Sequence, residues 1–212
     1  MLEVKGITKK YENLSVLENV SFEVERGKSL SIQGESGCGK TTLLMIIAGL
    51  LEADKGEIMF EGKPLDEEPC KRNVSMVFQN STLWNNMTVC ENILFPSSIK
   101  DKNERRREAE RLAKAFGIEE ILDRFPGEIS GGQARRAAIA RALAAKRDIL
   151  LLDEPFSNLD KDWKEKTMEG LRELCNENCT VILVTHSREE ADFFCDRHLY
   201  MEEGNLKEGN MN

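Results

Sequence analysis

Gly34 to Thr41, GESGCGKT, fit the pattern GxxxxGK(S/T), between a strand-like run and an apolar helical one. Such a loop binds nucleotide phosphates. Its glycines let consecutive backbone N–H groups curl around a phosphate, and the helix that follows adds a favourable field. Lys40 reaches the outer phosphate oxygens, and the Thr41 hydroxyl can ligate Mg2+. Glu35, Ser36, Gly37, Cys38, Gly39 and Thr42 complete this phosphate cradle. Further on, LLLDEP (Leu150 to Pro155) ends a continuous apolar run on two acids, Asp153 and Glu154. Adjacent carboxylates at a strand end repel unless a cation or a reacting water uses them. Asp153 is therefore expected to hold Mg2+, commonly through water, and Glu154 to be the general base for water attacking the terminal phosphate.

A second glycine-rich stretch, ISGGQ (Ile129 to Gln133), cannot reach the same phosphates without a large detour. Ser130 offers a hydroxyl, Gly131 and Gly132 let N–H groups approach a phosphate closely, and a helix starting near Gln133 points its positive end the same way. A serine N-cap before an alanine-rich helix accounts for Ser130. It does not account for two successive glycines, which disfavour a helix start entropically unless something must come close.

Together these motifs resemble the ATP-binding cassette (ABC) family, over nearly the whole chain and in family order. The resemblance implies ATP with Mg2+ as ligands, and a pair of copies (or a copy with a similar subunit) in which ISGGQ closes over ATP held by the other. Ser130, Gly131, Gly132 and Gln133 would then act in trans, with Asp160 from SNLD (Ser157 to Asp160), which matches the loop that crosses the dimer interface. Tyr11 resembles the aromatic on which adenine stacks, a contact that selects bases weakly. Gln79, closing NVSMVFQ, occupies the position that contacts Mg2+ and the attacking water. His186, after TVILVT, is the expected γ-phosphate sensor, whereas His198 reads as structural.

The resemblance also implies membrane permease subunits as partners and a place on the cytoplasmic face of the membrane. DEPFSNLD and LWNNMTVCENI are similar to subunits of bacterial importers, which favours import over export. Trp84, in STLWNNMTV, stands where the family docks its membrane subunit and reads either as an anchor or as local packing. The alternative is a soluble ABC-type ATPase switching a non-transport complex, which would be expected to carry arms or inserts. A P-loop kinase or GTPase would have no use for ISGGQ. Two positions depart from the commonest pattern: Ile129 replaces leucine, and Cys38 lies beside Lys40 at a helix start. Thiols in that setting are often reactive, so alkylation or oxidation of Cys38 would block ATP; the plainer reading is a tolerated small residue.

The elements that must position these residues are visible in the pattern. LEVKGIT, SVLENVSFEVERG and KSLSIQG are short strand-like runs; GEIMFEG and NVSMVF follow; DILLLD and TVILVT are nearly all apolar, as central parallel strands are. Thr41 to Leu51 reads as a buried helix, and Lys161 to Cys175 as a helix completing a βαβ unit. The expected fold is α/β: a P-loop (RecA-like) core with a mainly parallel sheet, an N-terminal antiparallel β-element and an inserted helical subdomain. The boundaries are 1–79 and 147–212 for the core and 80–146 for the helical part, within one domain. Arg135, Arg136 and Arg141 read as interface or solvated charges, and KDKNERRREAER as a solvated helix face.

Composition limits the partners. A formal charge of −8 over 212 residues argues against nucleic acid, which leaves a basic footprint on its binders. No run of about 20 apolar residues spans a membrane, and MLEVKGITKKYENL lacks the apolar stretch of a signal peptide. The six cysteines form no CxxC pair, so neither disulfide nor zinc site is expected.

Overall fold

Alternation of buried and exposed residues makes β1 (Leu2–Tyr11) and β2 (Leu14–Val24) a half-buried antiparallel pair, with Leu2, Val4 and Ile7 meeting Leu17, Val20, Phe22 and Val24 in one core. β4 (Lys55–Phe60) pairs antiparallel on the other side of β1, and β5 (Lys63–Pro64) follows it, giving the order β2-β1-β4-β5. The computed structural model describes residues 1–12, 14–66, 68–175 and 177–209.

The second sheet has the order β10-β9-β3-β8-β7-β6. Its centre consists of β3 (Ser29–Gly34), β7 (Ile149–Asp153) and β8 (Thr180–Val184), the last two buried at every residue because both faces are covered. β8 and β9 (Arg197–Glu202) flank β3 in parallel, β7 runs parallel to β8, and β10 (Asn205–Glu208) returns antiparallel on β9. β6 (Val74–Val77) closes the far edge. α1 (Lys40–Ala48) packs Leu43, Leu44, Ile46 and Ile47 against Leu30 and Ile32 of β3 and Ile149 and Leu151 of β7. Arg72 caps its last carbonyls, donating from Nη1 to Ile46 and Ile47 at 2.9 and 2.8 Å. α6 (Arg188–Phe194) lies against β3.

Contacts divide the chain into two units. The first comprises Met1–Met76, Asp148–Glu154 and Glu177–Asn212, and holds both sheets with α1 and α6; the second comprises Val77–Arg147 and Pro155–Asn176. In the second, α2 (Val89–Leu94) starts at a capping box of Thr88 and Glu91, and α3 (Lys102–Phe116) starts at Asp101, which accepts from two backbone N–H groups. α3 buries Ala109, Leu112, Ala113 and Phe116, an i, i+3, i+4, i+7 stripe, and turns Arg106, Glu110, Arg111 and Glu108 into surface ion pairs. α4 (Gly131–Ala144) and α5 (Lys161–Leu174) pack with α2 and α3. No helix among the described residues is long and apolar enough to cross a membrane. All six cysteines are free thiols, and burial pushes the Cys90 and Cys195 thiols up.

Candidate active site

In the first unit β3 delivers the chain to the phosphate loop, and backbone geometry shows why glycines stand there. Gly34 has φ 147°, and a Cβ on it would lie 2.2 Å from the Met201 carbonyl; Gly39 has φ 110°, and its Cβ would lie 2.7 Å from the Val16 carbonyl. Gly39 is also the N-cap of α1, and it offers no side chain to the helix's first N–H groups. Those donors, with no acid in the first turn, are suited to an anion. Lys40 is buried, and its Nζ donates to the carbonyls of Gly34 and Glu35 at 2.8 and 2.7 Å, with the half-buried Cys38 Sγ 3.7 Å away. Phosphate oxygens can take over these two bonds.

The Thr41 hydroxyl donates to Asp153 Oδ2 at 2.8 Å, and Asp153 is 2% exposed. The pair offers hard oxygen donors. Among the described residues no group of three or more His, Cys, Asp and Glu could hold a metal ion. At Glu154 the chain leaves β7 through a left-handed backbone, φ 45°, fixed by its N–H donating to the Val184 carbonyl at 2.9 Å. That turn brings Glu154 Oε1 to 2.6 Å from His186 Nε2. Expected base and expected sensor are therefore in direct contact. Tyr11 ends β1 with 47% of its surface exposed and Lys9 Nζ 5.6 Å above its ring. It pairs with Leu14 of β2, whose Val16 and Leu17 abut Gly39. His198 is structural, its Nδ1 2.8 Å from Ser31 Oγ.

The second unit contains Gln79, ISGGQ and Asp160. Ser130 is the N-cap of α4, its Oγ accepting from Gln133 N–H at 3.2 Å while Gln133 Oε1 accepts from Ser130 N–H at 2.9 Å. The helix thus begins at Gly131, two residues before the expected start. Asp160 caps α5, Oδ1 accepting from Trp163 N–H at 3.1 Å. Gln79 is exposed and follows β6.

The arginines of α4 overturn the solvated reading. Arg135 is 4% and Arg136 5% exposed. Arg135 donates to the carbonyls of Phe78 and Pro155 (3.0 Å) and to Ser157 Oγ (3.1 Å), so one guanidinium ties α4 to the residue before Gln79 and to the segment after Glu154. Arg136 donates to the Phe116 and Gly117 carbonyls at 2.7 and 2.9 Å and stacks 3.7 Å over the Trp163 ring. Arg141 donates to the carbonyl and hydroxyl of Thr82 and lies over Trp84, and burial lowers the pKa of both Arg136 and Arg141. Fully buried Asn92 pins the Trp84 segment, accepting from Trp84 N–H at 2.8 Å and donating to the Trp84, Met87 and Thr88 carbonyls. Trp84 packs 4.5 Å from Phe95 yet stays 40% exposed. Removing the guanidinium orphans buried carbonyls, so Arg135→Met is expected to destabilise the protein by about 2–4 kcal/mol in urea unfolding. A change within about 0.5 kcal/mol, the ordinary range of a surface substitution, would restore the solvated reading.

Residues 17–157 match the ABC transporter family. An Fe(3+) ions import ATP-binding protein of Fusobacterium nucleatum, FbpC, is 38% identical over 97% of the chain and 57% of its own length. A sulfate/thiosulfate import ATP-binding protein of Bordetella parapertussis, CysA, is 39% identical over 98% and 61%. A spermidine/putrescine import ATP-binding protein of Thermotoga maritima, PotA, is 40% identical over 97% and 57%. The chain thus spans roughly three fifths of the length of these relatives. The dimeric structure of MJ0796, described as a bacterial ABC transporter cassette, superposes with TM-score 0.89 at 32% identity, covering all of both chains. The same cassette as a post-hydrolysis dimer with ADP and Pi gives 0.88.

Proposed function

The chain belongs to the ABC transporter family, and from that premise we propose that it is an ATP-hydrolysing transporter subunit, paired on the cytoplasmic face of a membrane and docked to permease subunits. The three relatives described above are import proteins, which favours uptake. The observation that carries the reading is the freedom around ISGGQ. A Cβ on Gly131 would meet nothing within 4 Å, one on Gly132 only Leu159 Cδ2 at 3.5 Å, and neither residue has positive φ. Among the described residues no close contact and no backbone conformation requires these glycines, which cost about 1 kcal/mol each in a helix relative to alanine. Their use lies outside the chain, in ATP held by a second copy.

The chemistry follows from the groups in place. Lys40 exchanges the Gly34 and Glu35 carbonyls for β- and γ-phosphate oxygens, while the N–H groups from Glu35 to Thr42 cradle the phosphates and Tyr11 stacks on adenine. Thr41, Asp153 and Gln79 would hold Mg2+, which would supply positive charge to the phosphate oxygens. Glu154 takes the proton of the attacking water, and His186, already on Glu154, aligns that carboxylate against the γ-phosphate. Ser130, Gly131, Gly132, Gln133 and Asp160 of one copy close on the ATP of the other, excluding water; phosphate release reopens the pair and moves the permease. Within the sequence boundaries, 1–79 with 147–212 hold the phosphate chemistry together with Asp160, 80–146 hold the signature loop and the docking elements, and Trp84 is the docking anchor.

Each isolated copy carries two half-sites, so ATPase rate at low concentration should rise more steeply than linearly with protein. Phosphate release measured across a protein dilution series tests this. A linear dependence down to concentrations where sedimentation shows monomer would refute the composite site.

A further inference from the structure

His186 is held from one side only by what has been assigned to it. Its side chain is 44% exposed, it lies two residues beyond the end of buried β8, and Glu154 alone does not fix a loop. Behind the loop lies a buried carboxylate that the mechanism does not use. Glu190, the third residue of α6, is 6% exposed, and its Oε2 accepts a hydrogen bond from the Thr185 hydroxyl. The Thr185 oxygen in turn accepts from Ser187 N–H at 3.0 Å, and Ser187 Oγ accepts from Glu190 N–H at 3.3 Å. The arrangement is a capping box with a hydroxyl inserted: in the usual form the N3 acid would accept from the N-cap N–H itself. Here that contact is relayed by Thr185, 2% exposed, so both neighbours of His186 are tied to one side chain.

We propose that Glu190 is a positioning residue that, through Thr185 and Ser187, fixes the loop carrying His186 and so holds the imidazole on Glu154. The proposal rests on the roles given above to His186 and Glu154. A buried acid is a costly way to start a seven-residue helix, and an exposed Asp or Ser cap would serve α6 as well. What the buried relay adds is a fixed direction for the residue between its two hydroxyls. Misplacement of a reacting group by about 1 Å can lower turnover about a hundredfold.

The test is a double-mutant cycle with steady-state ATPase kinetics at saturating protein. Glu190→Ala and Thr185→Val are expected to lower kcat about 10–100-fold with KM for ATP within about twofold, whereas Glu190→Gln, which keeps an acceptor for Thr185, should stay within about threefold of the parent. In a His186→Ala background, Glu190→Ala should cause no further loss. Multiplicative losses in the cycle, or an undiminished kcat in Glu190→Ala, would overturn the proposal. A second readout is independent of activity. The chain has two histidines, so the His186 imidazole signals are assignable by NMR from the His186→Ala spectrum. In the nucleotide-free protein they should move or broaden in Glu190→Ala but not in Glu190→Gln, with circular dichroism unchanged; unmoved signals would refute the positioning role. Should His186→Ala hydrolyse ATP as fast as the parent, the catalytic reading of His186 is what fails, and the imidazole signals still decide whether Glu190 holds the loop.

Discussion

Glu154→Gln is expected to lower ATP hydrolysis by about 10²–10⁴-fold, the range that a positioned general base contributes, while leaving ATP binding intact. The substitution preserves shape: glutamine accepts the left-handed backbone no worse than glutamate, and its amide can still meet His186 Nε2 across the 2.6 Å contact. It removes the carboxylate assigned to take a proton from water, and with it a negative charge that opposes the γ-phosphate. ATP binding is assigned to Lys40, whose Nζ donates to the Gly34 and Glu35 carbonyls, and to the loop N–H groups, none of which the substitution alters. ATP should therefore lock the variant as a closed pair, visible by size-exclusion chromatography, with phosphate release nearly abolished. Turnover within about tenfold of the parent would remove Glu154 from the role of base.

Ser130→Arg should have the second largest effect, on a different step. ATP binding by the monomer should be unchanged, since Ser130 belongs to the second unit and the phosphate loop to the first. The ATP-dependent pair should fail to form at protein concentrations about a hundredfold above those that suffice for the parent, an excess worth about 2.7 kcal/mol. Two losses combine: the cap bond to Gln133 N–H, about 1 kcal/mol, and the space over Gly131 and Gly132 that an arginine would cross. Ser130→Ala separates them, because it loses the cap and keeps the space. Analytical ultracentrifugation with a non-hydrolysable ATP analogue supplies the measurement. A pair formed by the arginine variant as readily as by the parent would sink the in-trans site.

The phosphate loop was legible because its chemistry is local. Strand, glycines, lysine and helix follow one another within a few residues, and the φ values of Gly34 and Gly39 demand what the motif records. Asp153, Glu154 and His186 could be read because each ends an apolar run, and a parallel sheet aligns such ends. The arginines of α4 could not be placed by the same means, since their acceptors, Phe78, Pro155 and Phe116, are remote in sequence. A signal was nevertheless present: Ala134, Ala137, Ala138, Ala140, Ala142 and Ala144 spread over more than half of the helix circumference, wider than the apolar stripe of a surface helix, so arginines between them stand beside packed positions. The relay through Glu190 was hidden for a related reason. THSREE reads as an ordinary helix start, and only the depth of Glu190 sets it apart.

The placement of β3 has a consequence for how the protein is made. The strand that ends in the phosphate loop is completed by residue 34, yet its two partners are Thr180–Val184 and Arg197–Glu202, and the carbonyl that closes on Gly34 belongs to Met201. During synthesis the loop therefore emerges about 150 residues before the strands that wall it. Pairing across such separations is slow, because loop closure is entropically opposed until the distant strands arrive. A chain that has not yet made β9 lacks the wall that Met201 gives the loop, and ATP is expected to stabilise only molecules whose folding has reached that strand.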